Sequence, residues 1–317
     1  MKYRRLGRTG LVVSEIGFGS WLTLDDEDQS RADLLHRTAY ENGINFFDTA
    51  NQYGLGRTEP VVGAALSPFR RETYVLATKV FWPYEPDWPF PGANDRGLSR
   101  KHVFSEIEKS LTRLRTDHVD LYQCHRYDPD TPLEETCRAM SDLVDQGKAR
   151  YWGVSEWTGA QIAEAVSLCE EAGWHRPISN QPIYNMLDRH WEDDAFPVTD
   201  RLGLGNVCFS PLAEGLLTGK YAEGTPPDAR AADETQGQFI RRRFSEENLD
   251  RVRQLGRIAS DLGVPMSHLA LGWCLRRREI SSCIIGASRP EQIVENAAGP
   301  DLEWDDAIAE RVRDALA

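Results

Sequence analysis

Residues 44–53 read Ile44-Asn45-Phe46-Phe47-Asp48-Thr49-Ala50-Asn51-Gln52-Tyr53, an apolar run that ends in a carboxylate and is followed one loop turn later by a tyrosine. The next apolar run ends in Lys79, and the one after it ends in His125. Catalytic residues of (β/α) barrels lie at the C-terminal ends of the strands. The pattern therefore predicts that four ionisable side chains converge at one mouth of a barrel: Asp48, Tyr53, Lys79 and His125.

Short apolar strands alternate with amphipathic helices along most of the chain, which is typical of a parallel sheet wound with helices. The predicted strands are Glu15–Phe18, Asn45–Asp48, Tyr74–Lys79, Val119–His125, Ala149–Ser155, Ile178–Pro182, Asn206–Ser210 and Ser282–Ile285. These eight strand–helix units favour a closed (β/α)8 TIM barrel of the α/β class over an open doubly wound sheet. We expect residues 1–317 to form this one domain.

Four segments depart from the strand–helix rhythm. Residues 3–14 carry Gly-containing turn chemistry at Gly7 and Gly10 and predict an N-terminal β-hairpin that plugs the bottom of the barrel. Residues 305–317 predict a C-terminal helical extension. Two long stretches, 81–97 and 213–244, follow strands, and loops longer than about 12–15 residues are usually functional or disordered. We expect both to lie on the catalytic face.

The composition limits the classes of function. A formal net charge of −13 over 317 residues argues against nucleic acid or an anionic membrane as a partner. The six cysteines are scattered and include no C-x-x-C pair, which indicates reduced thiols. The chain shows neither a signal-peptide pattern nor an apolar run near the ~20 residues of a membrane helix. We expect a soluble, cytoplasmic protein.

The four ionisable residues suit proton donation to an oxygen as a carbonyl becomes an alcohol. A phenol with a pKa near ~10 is a poor acid at neutral pH unless its anion is stabilised. Lys79 would lower the pKa of Tyr53, Asp48 would hold the ammonium, and His125 could orient a substrate oxygen or relay a proton. Asp48, Tyr53 and His125 each have a simpler explanation alone, as a turn or cap aspartate, a packed loop tyrosine and a strand-end histidine. Lys79 is harder to explain in this way, because a charged group rarely ends an apolar strand without a partner. Their joint occurrence on successive strands favours a site.

The chain resembles the aldo-keto reductases over nearly its whole length. The segments that carry the resemblance are Gly17-Phe18-Gly19-Ser20-Trp21, residues 45–54 and Ile285-Gly286-Ala287-Ser288. Residues 97–102 and 128–136 are similar to the branch that contains the potassium-channel β-subunits and their bacterial relatives. Those β-subunits have Asn at the position of His125, so this departure favours a working reductase. The resemblance implies a (β/α)8 barrel with the catalytic tetrad named above.

No strand–Gly-x-Gly-x-x-Gly–helix unit is present, which argues against a Rossmann domain. The resemblance implies instead that NADPH binds extended across the barrel mouth. Ser20, Trp21 and Asp48 would be among the residues that bind the cofactor. Ser155 and Gln181 would hold the nicotinamide carboxamide, and Phe209 would stack on the ring. The pyrophosphate would be held by Ser210, Pro211, Leu212, Ala213, Lys220 and Arg230. The adenosine end would contact Gly286, Ser288, Arg289, Gln292, Glu295 and Asn296.

The residues around Ser288 support a phosphate site independently of the resemblance. Ser288-Arg289-Pro290 opens a predicted helix with Pro at an early position. Backbone N–H groups and the positive end of the dipole favour an anion there, and an Arg fork adds bidentate recognition of phosphate. The alternative is a Ser N-cap followed by a solvated Arg. With the family resemblance, the pattern favours a 2′-phosphate and hence NADP(H) over NAD(H).

Two acidic residues depart from what the resemblance implies. Glu156 stands where many family members have Asn after the Ser, and a carboxylate cannot donate a hydrogen bond. It could pair with a nearby Arg or face the adjacent loop. Glu214 adds a negative charge beside the expected phosphate-binding loop, for which the sequence offers no account.

The sequence therefore predicts NADPH-dependent reduction of a small-molecule carbonyl, an aldehyde or ketone whose identity the residues do not name. The first alternative is a cofactor-binding, redox-sensing module with weak turnover. The second, a metal-dependent barrel hydrolase, needs clustered His and carboxylate ligands, and no His-x-His ends a strand. Trp21, Tyr53, Trp82 and Trp88 suggest an apolar-walled pocket or ordinary loop packing. The sequence is compatible with a homo-oligomer and does not fix the oligomeric state.

Overall fold

The computed structural model describes residues 1–21, 28–83, 92–221 and 237–316. Within these ranges the strands β1–β10 are Tyr3–Arg5, Val12–Ser14, Ile16–Gly19, Phe46–Asp48, Val75–Val80, Val119–Cys124, Ala149–Ser155, Ser179–Gln181, Gly205–Cys208 and Ile280–Ile285. The helices α1–α11 are Gln29–Glu41, Thr58–Leu66, Arg100–Leu114, Leu133–Asp145, Gly159–Ala172, Ala195–Leu202, Gln238–Arg241, Glu246–Asp261, Met266–Leu275, Pro290–Ala297 and Asp306–Leu316.

Strands β3 to β10 form a closed parallel barrel in which β10 pairs with β3. This confirms the predicted (β/α)8 TIM barrel, and each of the eight predicted barrel strands is present. The strand ends differ by one or two residues, and the differences have local causes. The strand expected to reach Ser210 ends at Cys208, because the backbone turns to a positive φ of 51° at Ser210.

Alternation along the strands sorts side chains between the barrel interior and the surrounding helices. In β5, Val75 and Ala77 join the interior cluster, whereas Leu76 packs outward in the main core. Lys79 continues the inward series at the C-terminal end of the same strand. The interior is thus apolar at its N-terminal end and ionisable at its C-terminal end, as the strand patterns predict.

The hairpin of β1 and β2 closes the N-terminal end of the barrel. It is antiparallel, and its Leu6 and Val13 are fully buried in the same interior cluster as Phe46 and Leu121. This confirms the predicted N-terminal hairpin and places it as a plug. It leaves the C-terminal mouth as the accessible end of the barrel.

Side-chain caps begin several of the barrel helices. Ser99 accepts a hydrogen bond from the His102 N–H at the start of α3, the helix predicted there, and Ser245 caps α8. The C-terminal extension is present as α11. No helix among the described residues is long and apolar enough to cross a membrane. Of the two long loops, residues 84–91 and 222–236 lie outside the described ranges.

Candidate active site

Lys79 is the centre of the site at the C-terminal mouth. It is fully buried, and its Nζ donates to Asp48 Oδ2 at 2.6 Å, to the Thr49 carbonyl at 2.9 Å and to Tyr53 Oη at 3.1 Å. An ammonium group has three N–H donors, and all three are used here. The strand ends therefore bring Asp48, Tyr53 and Lys79 into direct contact, as their sequence positions predict.

The hydrogen bond between Lys79 and Tyr53 restricts what the phenolic proton can bond to. Lysine can only donate, so the Tyr53 oxygen must accept from it. The O–H of Tyr53 is then available to an acceptor other than Lys79. The arrangement leaves a proton to donate and holds a cation beside the oxygen that carries it.

Burial and charge act in opposite directions on Tyr53. Burial raises the pKa of the phenol, whereas the Lys79 ammonium lowers it, and burial has the larger effect. The pKa of Tyr53 therefore lies above its usual value. The sequence predicts a lowered pKa, because it includes the effect of Lys79 but not the effect of burial. Tyr53 is a protonated acid at neutral pH, and Lys79 is placed to stabilise the phenolate once the proton has left.

Asp48 keeps Lys79 charged. Burial would lower the pKa of Lys79, but the charge of Asp48 and its hydrogen bond raise it above the usual value. The second oxygen of Asp48 accepts from Gln181 Nε2 at 2.9 Å and from Gln123 Nε2 at 3.3 Å. Asp48 therefore links Lys79 to β6 and β8 through hydrogen bonds to both of its carboxylate oxygens.

His125 completes the tetrad as a neutral group. It follows β6, and its ring meets the Tyr53 ring edge-on at 5.8 Å between centroids. Burial, Lys79 and Arg126 all lower the pKa of His125 well below its usual value. Its buried Nδ1 has no hydrogen-bond partner among the described residues. A neutral imidazole here can hydrogen-bond to a substrate oxygen but does not carry a proton to it at neutral pH.

Two residues at the mouth were missed by the sequence analysis. Gln123 lies on β6, two residues before His125. Because side chains alternate between the two faces of a strand, Gln123 faces the same side as His125, and it donates to Asp48. The signal was present in the strand pattern. Arg126, by contrast, acts through its charge on Tyr53 and His125, and a loop arginine gives no sequence signal for that role.

Ser155 and Gln181 lie together at the ends of β7 and β8. Ser155 Oγ donates to the Gln181 carbonyl at 2.8 Å, and both residues are buried. The adjacent Glu156 has a positive φ of 59°, and its Oε1 accepts from the Ile183 N–H at 2.5 Å. Glu156 thus faces the loop after β8. Burial raises the pKa of this carboxyl.

The segment after β9 is a compact loop of left-handed turns. Phe209 is half-buried, Pro211 and Ala213 are buried, and Leu212 is half-buried between them. Lys220 Nζ lies 3.3 Å from the position that a Cβ would take on Gly215, whose φ is 102°. This positive φ favours glycine at position 215. Arg230, the remaining residue expected at the pyrophosphate, lies outside the described residues.

Barrel closure brings α1 beside α10, at the expected adenosine end. Gln292 Oε1 accepts from the Ser288 and Arg289 N–H groups at 2.8 and 3.3 Å, so these two N–H groups already have a partner. Arg31 on α1 donates from Nε to the Ser288 carbonyl at 3.3 Å. The sequence analysis missed Arg31, because 257 residues separate it from Ser288.

The remaining residues expected at this end are placed as follows. Gly286, Ser288 and Arg289 are exposed, and Asn296 is buried. Glu295 accepts a hydrogen bond from Ser267 on α9 at 2.6 Å. The arginines Arg31 and Arg289 give a strongly acidic chain a positive patch, which suits a phosphate group.

The residues that follow β3, the first strand of the barrel, lie at the same mouth. The Ser20 N–H donates to the Asp48 carbonyl at 3.0 Å, and Trp21 follows it, partly exposed. Trp82 packs edge-on against Phe81, and its carbonyl accepts from Asn51 near the tetrad. Trp88 lies outside the described residues. Among the described residues, no cluster of His, Cys, Asp and Glu has the form of a metal site.

The donor set fits a nicotinamide dinucleotide phosphate. The mouth offers an unpaired buried imidazole nitrogen, a half-buried aromatic ring at Phe209 and a cation above Gly215. The arginines of α1 and of the loop before α10 add positive charge at the far end. These groups have the chemistry to contact a polar ring, a pyrophosphate and an additional phosphate.

Comparison with known proteins identifies relatives along almost the whole chain. A model of the Aldo/keto reductase family matches residues 15–317. A protein of Oryza sativa subsp. japonica described as a probable voltage-gated potassium channel subunit beta is 43% identical over 307 residues, 95% of this chain and 92% of that protein.

A protein of Arabidopsis thaliana with the same description is 42% identical, again over 95% of this chain and 92% of its own length. A putative voltage-gated potassium channel subunit beta of Schizosaccharomyces pombe (strain 972 / ATCC 24843) is 41% identical over 93% of this chain and 86% of its own length.

Proposed function

Because the chain belongs to the aldo/keto reductase family, we propose that it reduces aldehydes or ketones to alcohols with NADPH, and that Tyr53 is the general acid. The observation that carries this proposal is the hydrogen bond from Lys79 to Tyr53. The Tyr53 oxygen accepts it at 3.1 Å, so the phenol's own proton is available to an acceptor in the barrel mouth. A carbonyl oxygen bound there receives that proton.

Each member of the tetrad has a separate task in the proposed reaction. When bound, NADPH supplies a hydride to the carbonyl carbon. Tyr53 gives its proton to the carbonyl oxygen, and Lys79 stabilises the phenolate that remains. Asp48 holds Lys79 charged and in place. Neutral His125 donates a hydrogen bond to the carbonyl oxygen and orients it for both transfers.

The cofactor would be held by chain segments on three sides of the mouth. Ser155 and Gln181 would bind the carboxamide, and Phe209 would stack on the ring. The loop from Ser210 to Lys220 would hold the pyrophosphate. Arg289, with Arg31 beside it, would bind the 2′-phosphate and so favour NADPH over NADH.

A second candidate function follows from the relatives themselves. Three proteins that are 41–43% identical are described as potassium channel β-subunits. This likeness favours a cofactor-binding, redox-sensing module whose turnover is weak. Such a module binds NADPH but reduces carbonyls slowly, so the turnover rate separates the two functions.

The test is NADPH consumption with a panel of aldehydes and ketones, and reverse oxidation of the alcohols. Tyr53→Phe should lower turnover by about 10²–10⁴-fold, because a positioned general acid contributes that much. Lys79→Met should lower it similarly, and the double variant should be scarcely worse than either single variant, because the two residues act as one unit. NADPH affinity should change little.

Tyr40→Phe is the matched control, because the Tyr40 hydroxyl bonds Thr73 on the exposed surface, away from the mouth. It should turn over like the wild type. If Tyr53→Phe stays within about threefold of the wild-type rate, the phenol is not the acid. If the wild type binds NADPH but reduces no carbonyl in the panel, the redox-sensing module is the better account.

A further inference from the structure

A closed ring of hydrogen bonds and ion pairs starts at the side chain of Ser210 and returns to its backbone carbonyl. Ser210 Oγ donates to Glu214 Oε1 at 2.8 Å, and Glu214 is paired with Arg243 through Nε. Arg243 is also paired with Asp188 through Nη1. Asn185 Nδ2 donates to Asp188 at 2.8 Å and to the Ser210 carbonyl at 3.0 Å. These five residues form what we term the Ser210 ring.

The Ser210 ring joins three segments that are far apart in sequence. Asn185 and Asp188 lie in the loop after β8, Ser210 and Glu214 lie in the loop after β9, and Arg243 lies between α7 and α8. Its charged groups are withdrawn from water, since the side chains of Arg243 and Glu214 are 8% and 1% exposed. Burial would lower the pKa of Arg243, but the charges of Glu214 and Asp188 raise it. Arg243 is therefore a permanent cation between two carboxylates.

The loop that the Ser210 ring closes has a backbone that needs support. The φ angles of Ser210, Ala213 and Glu214 are 51°, 47° and 53°, in the left-handed region that side chains other than glycine rarely adopt. Such conformations persist where surrounding contacts hold them, and they concentrate at ligand-binding segments. The Ser210 ring holds both ends of this turn, through contacts to Ser210 and to Glu214.

We propose that Arg243 and Glu214 are positioning residues that hold the loop from Ser210 to Gly215 in the shape that binds the cofactor pyrophosphate. This inference rests on the proposed function, because it takes NADPH as the ligand. It also accounts for Glu214, the acidic residue beside the phosphate-binding loop. Its charge is compensated by Arg243, and its carboxylate is turned away from the ligand and into the Ser210 ring.

Two variants open the Ser210 ring in different ways. Arg243→Met removes both ion pairs and keeps much of the volume. Glu214→Gln keeps an oxygen that can accept from Ser210 but removes the charge that pairs with Arg243. The matched control is Arg253→Met, which removes an arginine paired with Asp250 on the surface of α8. Asp188 loses its ionic partner only in the first variant and keeps the hydrogen bond from Asn185 in both.

The readouts are dissociation constants for NADPH and for 2′-AMP, a probe of the adenosine end that lacks the pyrophosphate. NADPH affinity should fall about tenfold to a hundredfold in Arg243→Met, because charge-assisted interactions of this size hold the loop. It should fall by a smaller factor in Glu214→Gln. Affinity for 2′-AMP should stay within about threefold of wild type in both variants, since this probe lacks the pyrophosphate that the loop would hold.

Three outcomes would overturn the proposal. In the first, both folded variants bind NADPH as the wild type does. In the second, 2′-AMP affinity falls as much as NADPH affinity, which means that the Ser210 ring only stabilises the fold. In the third, Arg253→Met has the same effect as Arg243→Met. If Arg243→Met does not fold, Glu214→Gln decides.

Failure of the proposed function gives a different pattern. In that case the wild type itself fails to bind NADPH, or Tyr53→Phe retains turnover, before either variant of the Ser210 ring is compared. An intact NADPH-binding wild type with unaffected variants would instead refute the positioning role alone. The two results are therefore distinguishable in one set of titrations.

Discussion

Individual residues in this barrel are defined by what surrounds them rather than by their type. Lys79 is fully buried and charged because Asp48, Thr49 and Tyr53 take its three donors. His36 on α1 is buried and neutral, because its ring stacks on Phe47 with 5.7 Å between centroids and meets Phe18 edge-on. Both residues lie beside the same strand, yet burial lowers the pKa of His36, whereas the partners of Lys79 raise its pKa.

His36 gives a residue-scale prediction about acid stability. Its pKa is about 4 in the folded chain against 6.5 for an unperturbed histidine, because burial disfavours the charged ring. Between these values the unfolded chain binds more protons, so the free energy of unfolding falls as the pH falls from 6.5 to 4. The full shift corresponds to about 3 kcal/mol. His36→Phe keeps an aromatic ring between Phe18 and Phe47 and should remove this part of the pH dependence.

Urea unfolding of both proteins at a series of pH values between 7 and 4 measures the difference. The control is His175→Gln, because His175 lies on the exposed surface. It should leave the pH dependence of unfolding close to that of the wild type. An unchanged acid dependence in folded His36→Phe would show that other groups account for the loss of stability.

At the scale of elements, barrel closure assembles sites from segments that are distant in sequence. Because β10 pairs with β3, the helices that follow these strands, α10 and α1, are neighbours. Arg31 near the start of α1 thereby reaches the Ser288 carbonyl, beside Arg289. A phosphate bound at this point would meet two guanidinium groups from opposite ends of the chain.

This juxtaposition predicts how cofactor preference divides between two arginines. Arg289→Ala should weaken NADPH binding by about tenfold to a hundredfold, since it removes the charge-assisted contact proposed for the 2′-phosphate. Arg31→Ala should weaken it by a smaller factor, because Arg31 is also bonded to the Ser288 carbonyl. Neither change should affect NADH, which lacks that phosphate. Fluorescence quenching titrations with both cofactors give the four dissociation constants.

Arg37→Ala, at an exposed arginine of the same helix, is the matched control and should leave both affinities unchanged. If wild type binds NADPH and NADH equally, the 2′-phosphate site is absent. If Arg31→Ala weakens both cofactors alike, Arg31 supports the loop without contacting the phosphate.

At the scale of the molecule, the two ends of the barrel have different tasks. The hairpin plugs the N-terminal end, and Arg4 fastens it. Arg4 donates to Glu15 at 2.6 Å and to the carbonyls of Leu275 and Ile280, each at 2.7 Å. The contacts that hold the hairpin therefore lie at one end of the barrel, and the ionisable residues proposed for catalysis lie at the other.

Arg4→Met should therefore lower stability without changing the chemistry. Glu15, which is 5% exposed, would lose its ionic partner, but the Arg4 side chain is 28% exposed, so the cost should lie between about 1 kcal/mol for an exposed pair and about 3–5 kcal/mol for a buried one. The free energy of unfolding should fall by about that amount, while kcat per folded molecule stays as in wild type. Arg5→Met, at the exposed neighbour in the same strand, should change neither quantity. Altered kcat in folded Arg4→Met would contradict the separation of the two ends.

The local sequence was sufficient for the strands, the hairpin and the position of the tetrad. Period-two alternation and apolar runs that end in an ionisable residue carry this information, because adjacent residues of one strand fix which side chains share a face. The same alternation contained Gln123, which lies two residues before His125 and was overlooked. The predicted strand ends differ from the observed ones by one or two residues, because a strand ends where a turn such as that at Ser210 requires a positive φ.

Only the tertiary structure decided the interactions between segments. Burial outweighs Lys79 at Tyr53 and leaves the pKa of the phenol raised. Gln292 takes two N–H groups at the start of α10, and Arg243 compensates Glu214 across 29 residues. Sequence patterns report which residues lie on a face, because that is a local property of the backbone. Desolvation and ion pairing depend on which faces meet, and closure of the barrel alone determines that.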